Sequence, residues 1–192
     1  MFPVNVPNVL TVLRILLVPV LVVALLDATP SGDLLAAIVF VVASLTDLLD
    51  GYLARTRNAI TTFGKLMDPI ADKLLIVAAL VSLVSLERLA AWVAMVIIAR
   101  EFAVTALRMG ATQQGVVLPA SMFGKAKTCL QIAMVLALIA VGDASPLWLD
   151  LLVDLTVAVT VLSGVEVCLG LRRRLGERDR QREHDQAAAD AT

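Results

Sequence analysis

Two runs, Asp47-Leu48-Leu49-Asp50-Gly51-Tyr52-Leu53-Ala54-Arg55 and, eight residues on, Gly64-Lys65-Leu66-Met67-Asp68-Pro69-Ile70-Ala71-Asp72, set four carboxylates between oily segments. On insertion scales a carboxylate near the middle of a membrane helix costs about 2.5–3.5 kcal/mol. A chain this apolar gathers four of them only if something offsets their charge. A divalent cation is the usual offset, and hard cations such as Mg2+ choose carboxylate oxygens. Asp47 and Asp50 are three residues apart, and Asp68 and Asp72 four apart, so on a helix each pair shares a face. The first pair closes one apolar segment and the second opens the next. As antiparallel neighbours, the two helices would bring all four carboxylates to one end.

Working outward, 59% of the 192 residues are hydrophobic, and mean hydropathy is +0.89. Soluble domains sit nearer about 45–50% apolar, so the chain reads as an integral membrane protein. Aromatics make up only 4%. The apolar residues are mostly Leu, Val, Ala and Ile in unbroken runs, whereas barrel strands alternate polar and apolar. The fold class is therefore all-α. A span needs about 20 apolar residues, and six segments qualify: 9–27, 34–54, 73–86, 89–108, 124–142 and 147–170. The third reaches full length only with its partly polar start at Asp68–Lys73. No Lys or Arg precedes Arg14 and no small-residue cleavage site follows Leu26, so the first run is expected to be a retained span. Cys129 and Cys168 both fall in apolar spans, which argues against a disulfide framework. Residues 1–171 form one six-helix membrane domain. Residues 172–192 are charged and Ala-rich with no apolar stripe, a tail expected to be disordered or to lie on the membrane surface.

The positive-inside rule orients the spans. With both termini in the cytoplasm, Arg14, Arg55, Arg57, Lys65, Lys73, Arg100, Arg108, Lys125, Lys127 and Arg172–Arg174 lie toward one side, and Arg88 alone falls on the other. The stretches 27–33 and 142–147 carry acids and no bases. This reading makes a multi-pass protein of the cell membrane whose aspartates open to the cytoplasm.

Around the aspartates stand the parts of a phosphoryl-transfer site. Arg55 can fork two hydrogen bonds to a phosphate. Gly51 and Ala54 lack bulk, so a ligand or another helix can approach the backbone. Gly64 frees the connection. Two metal ions about 3.5–4 Å apart would clamp the attacking and leaving oxygens. Pro69 fits either a helix start capped by Asp68 or a continuous helix with a kink. A bland alternative pairs the acids with Arg55, Arg57 and Lys65 as a salt-bridge network, but leaves the glycines and the regular spacing unexplained. A cation pathway is a sharper rival, from another functional class. It usually shows repeats and acids at the bilayer midplane. Here the acidic motif has no second copy, and the acids lie near one face.

The pattern Asp-x2-Asp-Gly-x2-Ala-Arg-x8-Gly-x3-Asp-x3-Asp resembles the signature of the CDP-alcohol phosphatidyltransferases. Every fixed position is filled, by Asp47, Asp50, Gly51, Ala54, Arg55, Gly64, Asp68 and Asp72. The resemblance implies a six-helix membrane enzyme, a homodimer, that moves a phosphatidyl group from CDP-diacylglycerol to an alcohol and releases CMP. Outer motifs are similar to the bacterial branch that makes phosphatidylglycerophosphate from glycerol 3-phosphate. They are Val6-Pro7-Asn8-x-x-Thr11-x-x-Arg14, then Ala99-Arg100-Glu101 with Leu107-Arg108, then Phe123-Gly124-Lys125-x-Lys127-Thr128-x-x-Gln131. Members with inositol phosphate or phosphatidylglycerol as acceptor share the acidic signature but differ in these outer residues.

The resemblance also implies roles. Asp47, Asp50 and Asp68 would hold one Mg2+ or Mn2+ ion, and Asp50, Asp68 and Asp72 would share a second. Asp72 would be the general base. Asn8, Thr11, Gly51, Ala54, Arg55, Thr61 and Gly64 would meet the CDP-lipid. Arg100, Arg108, Lys125 and Lys127 would receive the acceptor's phosphate. The implied partners are CDP-diacylglycerol, glycerol 3-phosphate, membrane lipids and a second copy of the chain, with no nucleic acid.

Some of these residues have plainer readings. Arg100 and Glu101 can be an ion pair, although four cations around one pocket repel unless an anion is expected. Lys125 and Lys127 can be ordinary positive-inside anchors. Asp150 and Asp154, one turn apart, fit a cap or a polar contact rather than chemistry.

Overall fold

The computed structural model describes the backbone of residues 6–57, 62–113, 116, 122–144 and 146–190, and side chains within 9–46, 70–71, 73–113, 116, 122–144, 146–174 and 176. Among them are six α-helices and no strand: α1 (Val6–Leu26), α2 (Pro30–Arg57), α3 (Thr62–Ser85), α4 (Ala91–Gln113), α5 (Met122–Val141) and α6 (Leu147–Asp190). Each expected span lies within one helix apart from a residue or two at its ends. On length and apolar composition, three described stretches can cross a membrane: Val9–Leu26, Met122–Val141 and Leu147–Arg174. Pro30–Thr46 and Lys73–Ser85 are shorter apolar pieces. The expected fourth span is interrupted by Arg100, Glu101 and Arg108.

The helices pack as two groups. Helix α1 lies against α2 and α3, α6 lies against α4 and α5, and the groups meet where α2 and α3 touch α5 and α3 touches α4. Helical spacing puts Leu21 and Leu25, Phe40 with Ala36 and Ala43, and Leu80 with Leu83 on inward faces. With Ile97, Met134, Val135 and Leu138 they form one continuous core. Large apolar side chains also cover the outside: Leu16, Val23, Ile38, Met95 and Leu162 are each more than half exposed. An apolar exterior of this extent marks a surface that faces something other than water.

The turn after α1 shows why the chain breaks there. Thr29 precedes Pro30, its Oγ accepts the Gly32 amide at 3.0 Å, and its hydroxyl donates to Asp27. That is an N-cap with proline at the first helical position. Gly142 ends α5 at φ +66°, the left-handed value that glycine adopts without strain. Arg88, in the turn after α3, fastens the first turn of α2 to the turn after α5. It donates bidentately to Asp33 at 2.7 and 3.0 Å and to Asp143 at 3.0 Å. The cation expected alone on its side thus sits between two of that side's acids. Hydrogen bonding to Asp33 raises the Arg88 pKa further, against the lowering effect of burial, so Arg88 stays charged throughout the working range.

Three expectations need correcting. The polar stretch 55–72 is helical on both sides of residues 58–61, and Pro69 lies inside α3 rather than in its first turn. The continuous-helix alternative therefore holds, and Asp68 is no cap. The fourth helix, expected to end at 108, continues to Gln113. The tail, expected to be disordered or to lie on the membrane surface, continues α6 as a helix as far as Asp190, which corrects the first alternative and leaves the second open. Its Arg, Glu, Gln and Ala are strong helix formers, and only Gly176 interrupts them.

Candidate active site

Helix α2 carries Asp47, Asp50, Gly51, Ala54 and Arg55 toward its C-terminal end, and α3 carries Gly64, Asp68 and Asp72 toward its start. The side chains of all of these, and of Asn8, lie outside the described residues, as does the whole of Thr61. The two helices run in opposite senses beside α1, so both acidic pairs fall at the end of the bundle away from Arg88. As a donor set, four carboxylates without a Cys or His among them suit Mg2+ or Mn2+ rather than zinc. Thr11 and Arg14, three residues apart on α1, are both fully buried, although Arg14 was counted among the topological charges.

The described part of the site is built around one carboxylate. Glu101 of α4 is buried, with its side chain 5% exposed. Lys73 of α3 reaches its Oε2 at 3.1 Å. Lys127 of α5 donates to Oε1, and so does Arg100 from the next position, at 3.3 Å. Gln131, one turn beyond Lys127, adds an amide at 3.5 Å. Three helices thus converge on a single negative charge. The Arg100 guanidinium also donates to Ser163 of α6. Arg108 is near enough for its charge to repel that of Arg100, and Lys73 and Arg100 both repel Lys127.

Among the described residues, cations outnumber acids here. Arg100 and Lys127 share the Glu101 carboxylate with Lys73, and Arg108 adds its charge beside Arg100. Like charges 4 Å apart repel by about 4 kcal/mol at an effective dielectric of 20. The Nε atoms of Arg100 and Arg108 are both buried without a hydrogen-bond partner. An arrangement with surplus buried cations and unused donors fits an anion of phosphate type.

The structure therefore brings Arg100 and Lys127 together and sets Arg108 beside them. It does not bring Lys125 to the cluster. Lys125 is exposed, two residues from Lys127 and so on nearly the opposite face of α5. Its plainer reading, a positive-inside anchor, fits that position. Sequence reasoning missed Lys73 and Ser163 as members of the constellation. Lys73 had a signal, a lone cation directly after Asp72 at the head of an apolar run. Ser163 had none, since a serine in an apolar helix is unremarkable.

A cavity of about 760 Å³ opens at the opposite end of the bundle, lined among others by Arg88, Trp92, Asp143, Asp150 and Asp154. It places Asp150 and Asp154 away from both the acidic motif and the cation cluster, in keeping with a role outside the chemistry.

Comparison with known proteins adds to this geometry. The pattern of the CDP-alcohol phosphatidyltransferase family matches residues 4–165. The chain is similar to the CDP-diacylglycerol--glycerol-3-phosphate 3-phosphatidyltransferase of Bacillus subtilis, 42% identical over 178 residues that cover 84% of this chain and 92% of the relative. It is also similar to a protein of the same name from Rickettsia bellii, 36% identical over 83% of this chain and 91% of the relative. A third of that name, from Pseudomonas fluorescens, is 40% identical over 75% of this chain and 76% of the relative.

Proposed function

The chain belongs to the CDP-alcohol phosphatidyltransferase family, and on that premise we propose that it transfers the phosphatidyl group of CDP-diacylglycerol to glycerol 3-phosphate. The products are phosphatidylglycerophosphate and CMP. The single observation that carries the choice of acceptor is the gathering of Arg100, Arg108 and Lys127 with buried, unused arginine Nε donors among the described residues, a place for a second, free phosphate. Family membership removes the cation-pathway reading. Inositol phosphate as acceptor shares the phosphate, so it stays as the second reading, with the outer motifs against it.

The reaction follows from the parts. A hydroxyl oxygen of glycerol 3-phosphate attacks the β-phosphorus of the CDP-lipid. The new O–P bond forms as the bond from that phosphorus to the oxygen bridging toward CMP breaks. Asp72 accepts the hydroxyl proton, and CMP leaves with the bonding pair. Arg100, Arg108 and Lys127 hold the acceptor's phosphate, while Arg55, Asn8, Thr11 and Thr61 hold the CDP-lipid, with Gly51, Ala54 and Gly64 leaving it room. Asp47, Asp50, Asp68 and Asp72 would hold two Mg2+ or Mn2+ ions, which supply charge neutralisation at the diphosphate. Every other contribution is positioning, as phosphoryl transfer requires.

The same reading sets all six helices across the cell membrane with both termini and the site toward the cytoplasm. The lipid then arrives sideways in the bilayer, and glycerol 3-phosphate arrives from water. The positive-inside count and the acidic turns tied by Arg88 support this orientation. The family resemblance supports a homodimer.

Purified protein given CDP-diacylglycerol, Mg2+ and a panel of acceptors tests the proposal. CMP release should require glycerol 3-phosphate, with phosphatidylglycerophosphate as product. Release with inositol phosphate or phosphatidylglycerol, and none with glycerol 3-phosphate, would overturn the choice.

A further inference from the structure

Helix α6 takes no part in the acidic signature, yet it forms the wall against which Arg100 lies. Ser163 is fully buried, and its Oγ accepts a hydrogen bond from Arg100 Nη2. At the next residue, Gly164, a Cβ would stand 3.3 Å from Arg100 Cγ and 3.9 Å from its Nε. The first distance is shorter than the usual carbon–carbon optimum of about 3.5–4.0 Å. The arginine stem therefore crosses α6 where the backbone is bare, and its head is gripped by the serine beside that gap. On the other side Nη1 donates to Glu101. A guanidinium has five N–H donors in a fixed plane. Two contacts from different helices, α4 and α6, fix that plane and leave Nε buried without a partner.

We infer that Ser163 and Gly164 of α6 are positioning residues that set the Arg100 guanidinium for the phosphate of the acceptor. This rests on the proposed role of Arg100. Arg100 alone could swing about four stem torsions. Clamped between Glu101 and Ser163 and seated over Gly164, it is ordered before the substrate arrives, and pre-ordering improves binding by reducing what must be immobilised. The effect concerns one substrate only, because Arg100 belongs to the acceptor's side of the site.

A double-mutant cycle in the full-length enzyme tests it. KM for glycerol 3-phosphate and KM for CDP-diacylglycerol are measured for the wild type, Ser163→Ala, Gly164→Ala, Arg100→Ala and Ser163→Ala/Arg100→Ala. Ser163→Ala should raise the acceptor KM about fivefold, the size of one net hydrogen bond, with the CDP-lipid KM unchanged. Gly164→Ala should move the same constant in the same direction by displacing the stem. In the Arg100→Ala background the serine change should add nothing, which is the mark of residues that act as a unit. Equal shifts in both KM values, or the same effect of Ser163→Ala in both backgrounds, would overturn the inference while leaving Arg100's own role intact. An acceptor KM untouched by Arg100→Ala would instead bring down the phosphate reading, and this inference with it.

Discussion

Lys73 Nζ of α3 lies 3.1 Å from Glu101 Oε2 of α4, tying the residue beside Asp72 to the carboxylate that gathers the cation cluster. The contact ties the start of the apolar part of α3 to the charged middle of α4. The acidic half of the site comes from α2 and α3, and the cationic half from α4 and α5. The Lys73–Glu101 pair joins α3 to α4 across the two halves, and Lys127 and Gln131 bind α5 to the same carboxylate. The proposed proton acceptor and the proposed phosphate anchor thus sit on helices joined through one buried carboxylate.

Glu101→Gln should therefore destabilise strongly. It removes the counter-charge that Arg100 and Lys127 share, and breaking a buried ion pair by removing one partner costs about 3–5 kcal/mol. Thermal unfolding in detergent should show a large drop in Tm. Glu101→Asp, which keeps the charge, should recover part of the loss. A Tm for Glu101→Gln equal to wild type would mean that the cluster does not depend on its carboxylate.

The Arg88 contacts at the opposite end make an unequal pair. The Asp33 side chain is 18% exposed and bonded bidentately, whereas that of Asp143 is 90% exposed. Asp33→Ala should cost about 1.5–3 kcal/mol, as loss of charge-assisted hydrogen bonds does. Asp143→Ala should cost about 0–1 kcal/mol, as exposed pairs do. Tm values of the two variants give the comparison, and the reverse order would show that the burial reading is mistaken.

Metal dependence follows from the donor set. EDTA should abolish CMP release, and Mg2+ or Mn2+ should restore it, since four carboxylates so close to an apolar interior need a counter-ion. Full turnover in chelator would sink the two-ion account.

Asp72→Asn keeps the size of the side chain but removes its ability to take a proton. A lost general base typically lowers the rate about 10²–10⁴-fold. The fall should appear in kcat, with KM for the CDP-lipid changed far less. Near-normal turnover by the folded variant would assign the proton to another group.

The helices were legible in sequence because runs of Leu, Val and Ala about 20 residues long leave few alternatives. The helical backbone at Asp47, Asp50, Asp68 and Asp72 was legible because these residues keep helical spacing. Helix ends were less so. Hydropathy stops at the first charges, but Arg57 and Thr62 still carry helix, and Arg172–Asp190 is polar without being a poor helix former. Pairing was least legible. Lys125 and Lys127 look alike in sequence, yet one is exposed and the other is buried against Glu101. Which cation is which depends on the rotation of α5, and that is set by its contacts with α2, α3 and α6.

The central claim is that the surplus cations opposite the aspartates hold the phosphate of glycerol 3-phosphate. Arg108 offers the most direct measurement, because its Nε is buried and unpartnered and its loss breaks no ion pair seen among the described residues. Steady-state kinetics of Arg108→Ala, with each substrate varied in turn, should show kcat/KM for glycerol 3-phosphate reduced roughly 10–150-fold, the worth of one charged hydrogen bond. KM for CDP-diacylglycerol should stay close to wild type. Unchanged acceptor kinetics in a folded Arg108→Ala enzyme, or an equal loss toward both substrates, would contradict the claim.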